Sequence, residues 1–137
     1  MEAETGRITP DPRTVQALAA RLQERFDTLR ERIRQRLIAS DEQSYIELAG
    51  RVADPGDQSV AYLLRDLDYG LIDNELAELA AVERALWRVR EGRYGVCIDC
   101  GGPVETERLL IEPEAERCSQ CQAKYDHEHG KDRPPRL

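Results

Sequence analysis

RTVQALAARLQERFDTLRERIRQRLIA, residues 13–39, contains no glycine or proline and is rich in Arg, Leu, Ala, Gln and Glu, all good helix formers. Val15, Leu18, Leu22, Phe26, Leu29, Ile33 and Leu37 follow one another at steps of 3, 4, 4, 3, 4 and 4. That spacing puts one apolar stripe along one face of a helix. The stripe repeats every 11 residues rather than every 7, which keeps a helix pair nearly straight instead of strongly left-supercoiled. Arg21, Arg25, Arg32 and Arg36 fall off the stripe. Upstream, Asp11 is placed to cap the helix with Pro12 at its first position, which leaves 1–13 as a polar lead-in.

Downstream, Ser40-Asp41-Glu42-Gln43 interrupts the stripe as a capping box or as a polar turn of one continuous helix. Tyr45, Ile46, Leu48 and Ala49 resume helical character, and Asp54-Pro55-Gly56 is a strong turn signal with Asp57 placed to cap a second helix. The spacing of Val60, Leu64, Leu67, Leu71, Leu79, Val82, Leu86 and Val89 predicts that second helix over 58–91. Gly70 costs it up to about 1 kcal/mol, and Glu91-Gly92 stops it. The expectation is a mainly α protein: a long antiparallel coiled-coil hairpin over 14–91, bent at 54–59, attached to a small domain. Pairing about Gly56 sets Leu37 opposite Glu75, and the arms reach roughly 50 Å. A passive stalk is the plainest role for such a rod.

The small domain is a cysteine constellation. Cys97, Cys100, Cys118 and Cys121 read C-x2-C-x17-C-x2-C, the spacing of a four-thiolate zinc site. Each C-x-x-C turn offers two sulfurs on one side of a knuckle, and two knuckles close a tetrahedron around one structural Zn²⁺. The closed sphere leaves no position for a reacting water, and a thioredoxin-like redox pair would need a βαβ pattern that the sequence lacks. The finger is expected over 92–125 with a short helix at its end. His127 and His129 are read as part of a polar tail over 126–137, not as a second metal site. No Ser-His-Asp arrangement, phosphate loop or HExxH motif is present, so no enzymatic role is assigned.

Composition narrows the classes further. The 137 residues carry a net charge of -7, with 34% charged and 5% aromatic residues, too polar for a thick core. No apolar run approaches the ~20 residues of a membrane span, and the first residues lack a secretion signal. A cytoplasmic protein with reduced cysteines is expected. Net charge is +1 over 14–53, -5 over 54–91 and -2 over 92–137, which argues against direct DNA binding by the finger. At the turn, Asp54 and Asp57 have no adjacent basic residue, Arg51 being the nearest.

Hairpin, acidic turn and finger together resemble the DksA/TraR family of bacterial transcription factors. The residues that carry the resemblance are Asp54-Pro55-Gly56-Asp57-Gln58-Ser59, then Gly92-Arg93-Tyr94-Gly95-Val96-Cys97-Ile98-Asp99-Cys100-Gly101, then Arg108-Leu109 through Glu112-Pro113 to Cys118-Ser119-Gln120-Cys121. The resemblance implies a regulator that binds bacterial RNA polymerase at its secondary channel, modulates initiation through the acidic tip of the coiled coil and does not bind DNA. Asp54 and Asp57 match the two acids of the family's D-x-x-D-x-A tip, and Ser59 stands where Ala is usual. Family members that respond to guanosine tetraphosphate place basic residues near the finger. Ala81, Glu112 and Gln122 occupy such positions here, and only Arg108 keeps its charge. The resemblance therefore implies weak or absent alarmone potentiation, with Arg108 a polymerase or nucleotide contact. Alternatives are a zinc-ribbon adaptor with a helical stalk and a thiol-based redox-sensing regulator. The stripe satisfies itself within the hairpin, so a monomer is expected.

Overall fold

The computed structural model describes residues 10–129. Helix α1, Pro12–Ala39, starts as its sequence dictates: the Asp11 carboxylate accepts the Thr14 N–H at 2.7 Å and Pro12 takes the first turn. Leu18, Leu22, Phe26, Leu29, Ile33 and Leu37 are all buried, and Val15 lies half-buried beside them. The polar stretch after α1 is a true break. Ser40 Oγ donates to the Leu37 carbonyl at 2.6 Å, and Asp41 takes the left-handed conformation at φ 64°, which Asp tolerates better than most residues.

Helix α2, Gln43–Ala53, then runs back along α1 and buries Leu48, Ala49 and Val52. The 54–59 loop leads into the single-turn α3, Val60–Leu63. The chain climbs again through a 3₁₀ turn at Gly70–Ile72 and descends as α4, Asp73–Arg90. Arg36 pairs with Glu75 at 2.8 Å at one end of the α1/α4 pair, and Pro10 lies against Gly95 at the other, so the two helices are antiparallel. This register agrees with the expected pairing of Leu37 and Glu75. Leu79, Val82 and Ala85 line the buried face of α4. Two short helices follow, α5 at Thr106–Ile111 and α6 at Ser119–His129.

The fold is thus mainly helical, a long helix pair joined to a cysteine-bearing end, as expected. The second arm differs. It is not one helix over 58–91, and the bend at 54–59 is not its outer end. Ser40–Glu42 and the stretch around Tyr69–Asp73 form that end, where the Tyr45 and Tyr69 rings lie 5.1 Å apart. The physical reason is burial. A two-helix rod hides only one stripe per helix, whereas folding α2 back on α1 also buries Val52, Val60, Leu64 and Ile72 almost completely. Each such side chain contributes about 1.5–3 kcal/mol, more than the helical bonds lost near Gly70. Leu71, expected on the stripe, is 62% exposed, and Ile72 enters the core instead.

Gly92 closes α4 at φ 72°, with the Arg93 N–H reaching the Arg88 carbonyl at 2.9 Å in a Schellman cap. Gly95 has φ 87°, and a Cβ there would lie 2.9 Å from Pro10 Cδ. Gly95→Ala therefore meets both a left-handed backbone penalty of about 1–2 kcal/mol and a proline ring that must move. Urea unfolding of this variant should show a loss of at least that size. A midpoint unchanged from wild type would show that Pro10 is not seated on the finger in solution.

Candidate functional site

The first cysteine knuckle is built by glycine. Gly101, at φ 75°, donates its N–H to the Cys97 carbonyl at 3.0 Å, and the Cys97 N–H returns to the Gly102 carbonyl at 2.8 Å. The Gly102 N–H points at Cys100 Sγ, 3.4 Å away. A single antiparallel bridge, Val96 to Pro103, closes the base of the loop. The second knuckle opens α6. The Cys121 N–H points at Cys118 Sγ at 3.5 Å, and Glu105 caps the helix by accepting from the Ser119 hydroxyl at 2.6 Å and its N–H at 3.1 Å.

Two links hold the knuckles face to face. The Ile98 N–H donates to the Glu116 carbonyl at 2.9 Å, and Arg117 pairs with Asp99 at 2.8 Å. All four sulfurs lie within 4.8 Å of one another, and Cys100 Sγ is 3.9 Å from Cys118 Sγ. A tetrahedron of sulfurs each about 2.3 Å from a metal has edges close to 4 Å. Burial pushes the Cys97 thiol up, but the N–H groups of Cys100, Cys118 and Asp99 outweigh it and bring the thiol down to about 6. Cys121 is pushed up to about 12, first by its contact with Cys118 and then by Cys97. The Cys97 thiolate forms readily and that of Cys121 is opposed, which is the problem a divalent cation solves. The four cysteines fit one structural zinc with no open coordination position.

The finger is fixed to the helices through residues that sequence reasoning did not single out. Glu116 accepts from Arg84 at 3.2 Å and from Arg88 at 3.2 Å. Arg88 is almost fully buried, and burial lowers its pKa while Glu116 acts to hold it up. The Tyr94 hydroxyl donates to the Pro113 carbonyl at 2.8 Å, and burial pushes that phenol up to about 12. Arg21 of α1 donates to the Leu110 carbonyl at 2.9 Å. The available signal was Arg88 itself, a charge three residues after the buried Ala85 on the apolar face of α4.

Arg108 is engaged within the finger. Its guanidinium donates to the Arg117 carbonyl at 2.9 Å and to Gln122 Oε1 at 3.4 Å, and it lies 3.8 Å from Glu112. Asp54 and Asp57 are both exposed on the 54–59 loop. Asp57 does not cap the next helix; Ser59 does, accepting the Tyr62 N–H at 3.0 Å. The Ser59 hydroxyl meanwhile donates to Glu83 of α4 at 2.7 Å. The loop thus lies against α4, with Asp57, Trp87, Arg93 and Ile98 lining the cleft between it and the finger. His127 and His129 belong to α6, not to a tail. His129 stacks on Tyr125 at 4.1 Å and contacts its carbonyl. Residues 130–137 of the expected tail and 1–9 of the lead-in lie outside the described residues. Among the described residues the four cysteines are the only metal-ligating cluster, and no helix is long and apolar enough to cross a membrane.

Residues 92–127 match the family model of the prokaryotic dksA/traR C4-type zinc finger. An uncharacterized protein of Aquifex aeolicus is 33% identical over 64 residues, 44% of each chain. An RNA polymerase-binding transcription factor DksA of Caulobacter vibrioides is 26% identical over 89 residues, 65% of this chain and 58% of that protein. The chain therefore spans about half the length of these curated relatives. The solution structure of the DnaK suppressor protein of Agrobacterium tumefaciens superposes with a TM-score of 0.53 at 23% identity, over 80% of this chain and 92% of that one. It shows a shared fold. The cysteine-bearing end, at residues 92–127, is a zinc finger of the DksA/TraR type, as the motif resemblance implied.

Proposed function

We propose that this chain is a non-enzymatic regulator of bacterial transcription that binds RNA polymerase, rather than DNA, and acts as a monomer in the cytoplasm. The observation that carries the reading is the DksA/TraR-type finger clamped to the base of an antiparallel helix pair. The Caulobacter relative, an RNA polymerase-binding transcription factor, supports it. In this reading the finger and the adjoining turns of α1 and α4 dock at the rim of the polymerase secondary channel. The 54–59 loop supplies the acidic contact, because Asp54 and Asp57 are exposed there and form no ion pair among the described residues. The small Ser59 supports the loop through its cap. Arg108 is already occupied by Arg117, Gln122 and Glu112, and Glu112 and Gln122 bring no positive charge beside it, so potentiation by guanosine tetraphosphate, which needs positive partners, is weak or absent.

The test compares wild type with Asp57→Asn on purified bacterial RNA polymerase. Binding should change little, while the effect on initiation should fall about tenfold, the loss of one charged contact. Equal effects on initiation would remove Asp57 from the mechanism. A wild-type chain that does not bind the enzyme would leave the adaptor role instead.

A further inference from the structure

The 54–59 loop is latched to α4 at one point. Glu83 accepts three hydrogen bonds from the start of α3: Ser59 Oγ at 2.7 Å, the Val60 N–H at 2.7 Å and the Ala61 N–H at 3.1 Å. Val60 and Leu64 lie buried beside this contact. The other side of the loop touches little. Asp54, Gly56, Asp57 and Gln58 are exposed, nothing lies within 4 Å of where a Gly56 Cβ would be, and Trp87 and Ile98 across the cleft are about half exposed. A loop filling a site of its own would cover those two side chains.

The sequence also encodes a second course for the same segment. The apolar positions Val60, Leu64, Leu67 and Leu71 keep helical spacing toward α4 with no proline between them. The docked course leaves Leu71 62% exposed. It also bends the chain at Asp41, in the left-handed region, and at the 3₁₀ turn Gly70–Ile72. Both bends lie at the outer end of the α1/α4 pair. Straightening them would carry α2 onward from α1 and move the acidic loop from mid-height to the tip of a rod about 20 Å longer.

We infer that Glu83 is the latch of a two-state device: the docked form holds the exposed Asp54 and Asp57 at mid-height beside α4 rather than at the outer end of the rod, and release of the 59–61 backbone lets the loop extend toward a partner. As a statement about activity this rests on the proposed function; as a statement about conformation it does not. A partner that binds only the extended form sees its affinity divided by the fraction extended. Weakening the latch therefore strengthens binding without adding a contact.

The experiment uses the full-length zinc-loaded chain as wild type, Glu83→Ala and Ser59→Ala, the last removing one of the three bonds together with the cap to the Tyr62 N–H. Amide hydrogen exchange at Val60 and Ala61 and the maximum dimension from small-angle X-ray scattering report the latch. Affinity for, and effect on, bacterial RNA polymerase report the gate. For Glu83→Ala we expect exchange at both amides and polymerase affinity to rise about tenfold, with a longer maximum dimension. The gain in effect on initiation should vanish in Glu83→Ala/Asp57→Asn. Should Glu83→Ala lose zinc or helicity, Ser59→Ala gives the same readouts with smaller changes. Unchanged exchange at both amides overturns the latch. Faster exchange with unchanged polymerase affinity overturns the gate. A wild-type chain that does not bind polymerase overturns the functional reading, and exchange and scattering still decide the latch.

Discussion

Replacing Cys118 by Ser, or stripping the metal with a strong zinc chelator, unfolds the finger and leaves the helix pair standing. The asymmetry follows from where apolar surface is buried. Over 92–129 the buried hydrophobic side chains are Tyr94, Val104 and Leu109, apart from Cys97 and Cys118 themselves. One isolated bridge and two short helices complete the finger's regular structure. At about 1.5–3 kcal/mol for each buried side chain, this does not offset about 1–2 kcal/mol of backbone entropy for every residue ordered. The metal supplies the difference; structural zinc contributes about 10–16 kcal/mol in isolated finger peptides. The helices, by contrast, share one continuous apolar seam from Leu18 to Leu37 against α2 and α4. Circular dichroism should lose about the share of α5 and α6, while amide exchange becomes fast over 92–129 and stays slow at Leu29, Ile33 and Val82. Metal content should fall from one zinc per chain to none. A Cys118→Ser chain that kept exchange protection in the finger would show that packing, not zinc, holds it.

That division also explains what could be read from the sequence. Local signals were legible wherever a residue settles its own neighbourhood. Asp11 and Pro12 start α1, Gly92 ends α4, the Leu18–Leu37 stripe faces inward, and four cysteines at C-x2-C spacing converge. The path between Ala39 and Asp73 was not legible, because two courses satisfy the same apolar spacing. A helix with Val60, Leu64, Leu67 and Leu71 on one face looks alike whether it continues or breaks. The decision lies with Glu83, a surface glutamate by its sequence context, whose three bonds to residues 59–61 are long-range. It lies also with Ile72, which outcompetes its neighbour Leu71 for the core. The acidic pair was recognisable as a turn, but its place in the fold was not, since turn chemistry fixes a bend and says nothing of where it points. Arg88 and Glu116 escaped notice for a similar reason: a buried ion pair 28 residues apart leaves no local periodicity.

Glu116→Ala is expected to cost about 3–5 kcal/mol, the typical penalty for leaving one member of a buried ion pair alone. The Arg88 side chain is 9% exposed, and Glu116 is the carboxylate that meets it, through Nη1 at 3.2 Å. Among the described residues its Nη2 is buried without a hydrogen-bond partner, so the guanidinium depends on the Glu116 carboxylate. Arg84 is more than half exposed; losing its bond to Glu116 returns it to water at little cost. The damage would therefore concentrate at Arg88, in the seam between α4 and the second knuckle, two residues before Cys118. Converting the guanidinium to an apolar side chain of similar length should undo most of it, because the desolvation cost disappears along with the lost attraction. Urea unfolding of wild type, Glu116→Ala, Arg88→Met and Glu116→Ala/Arg88→Met forms a double-mutant cycle. The double variant should be more stable than Glu116→Ala alone. If Glu116→Ala unfolds within about 0.5 kcal/mol of wild type, the range of an ordinary surface substitution, Arg88 has access to water and the finger is not clamped to α4 through this pair.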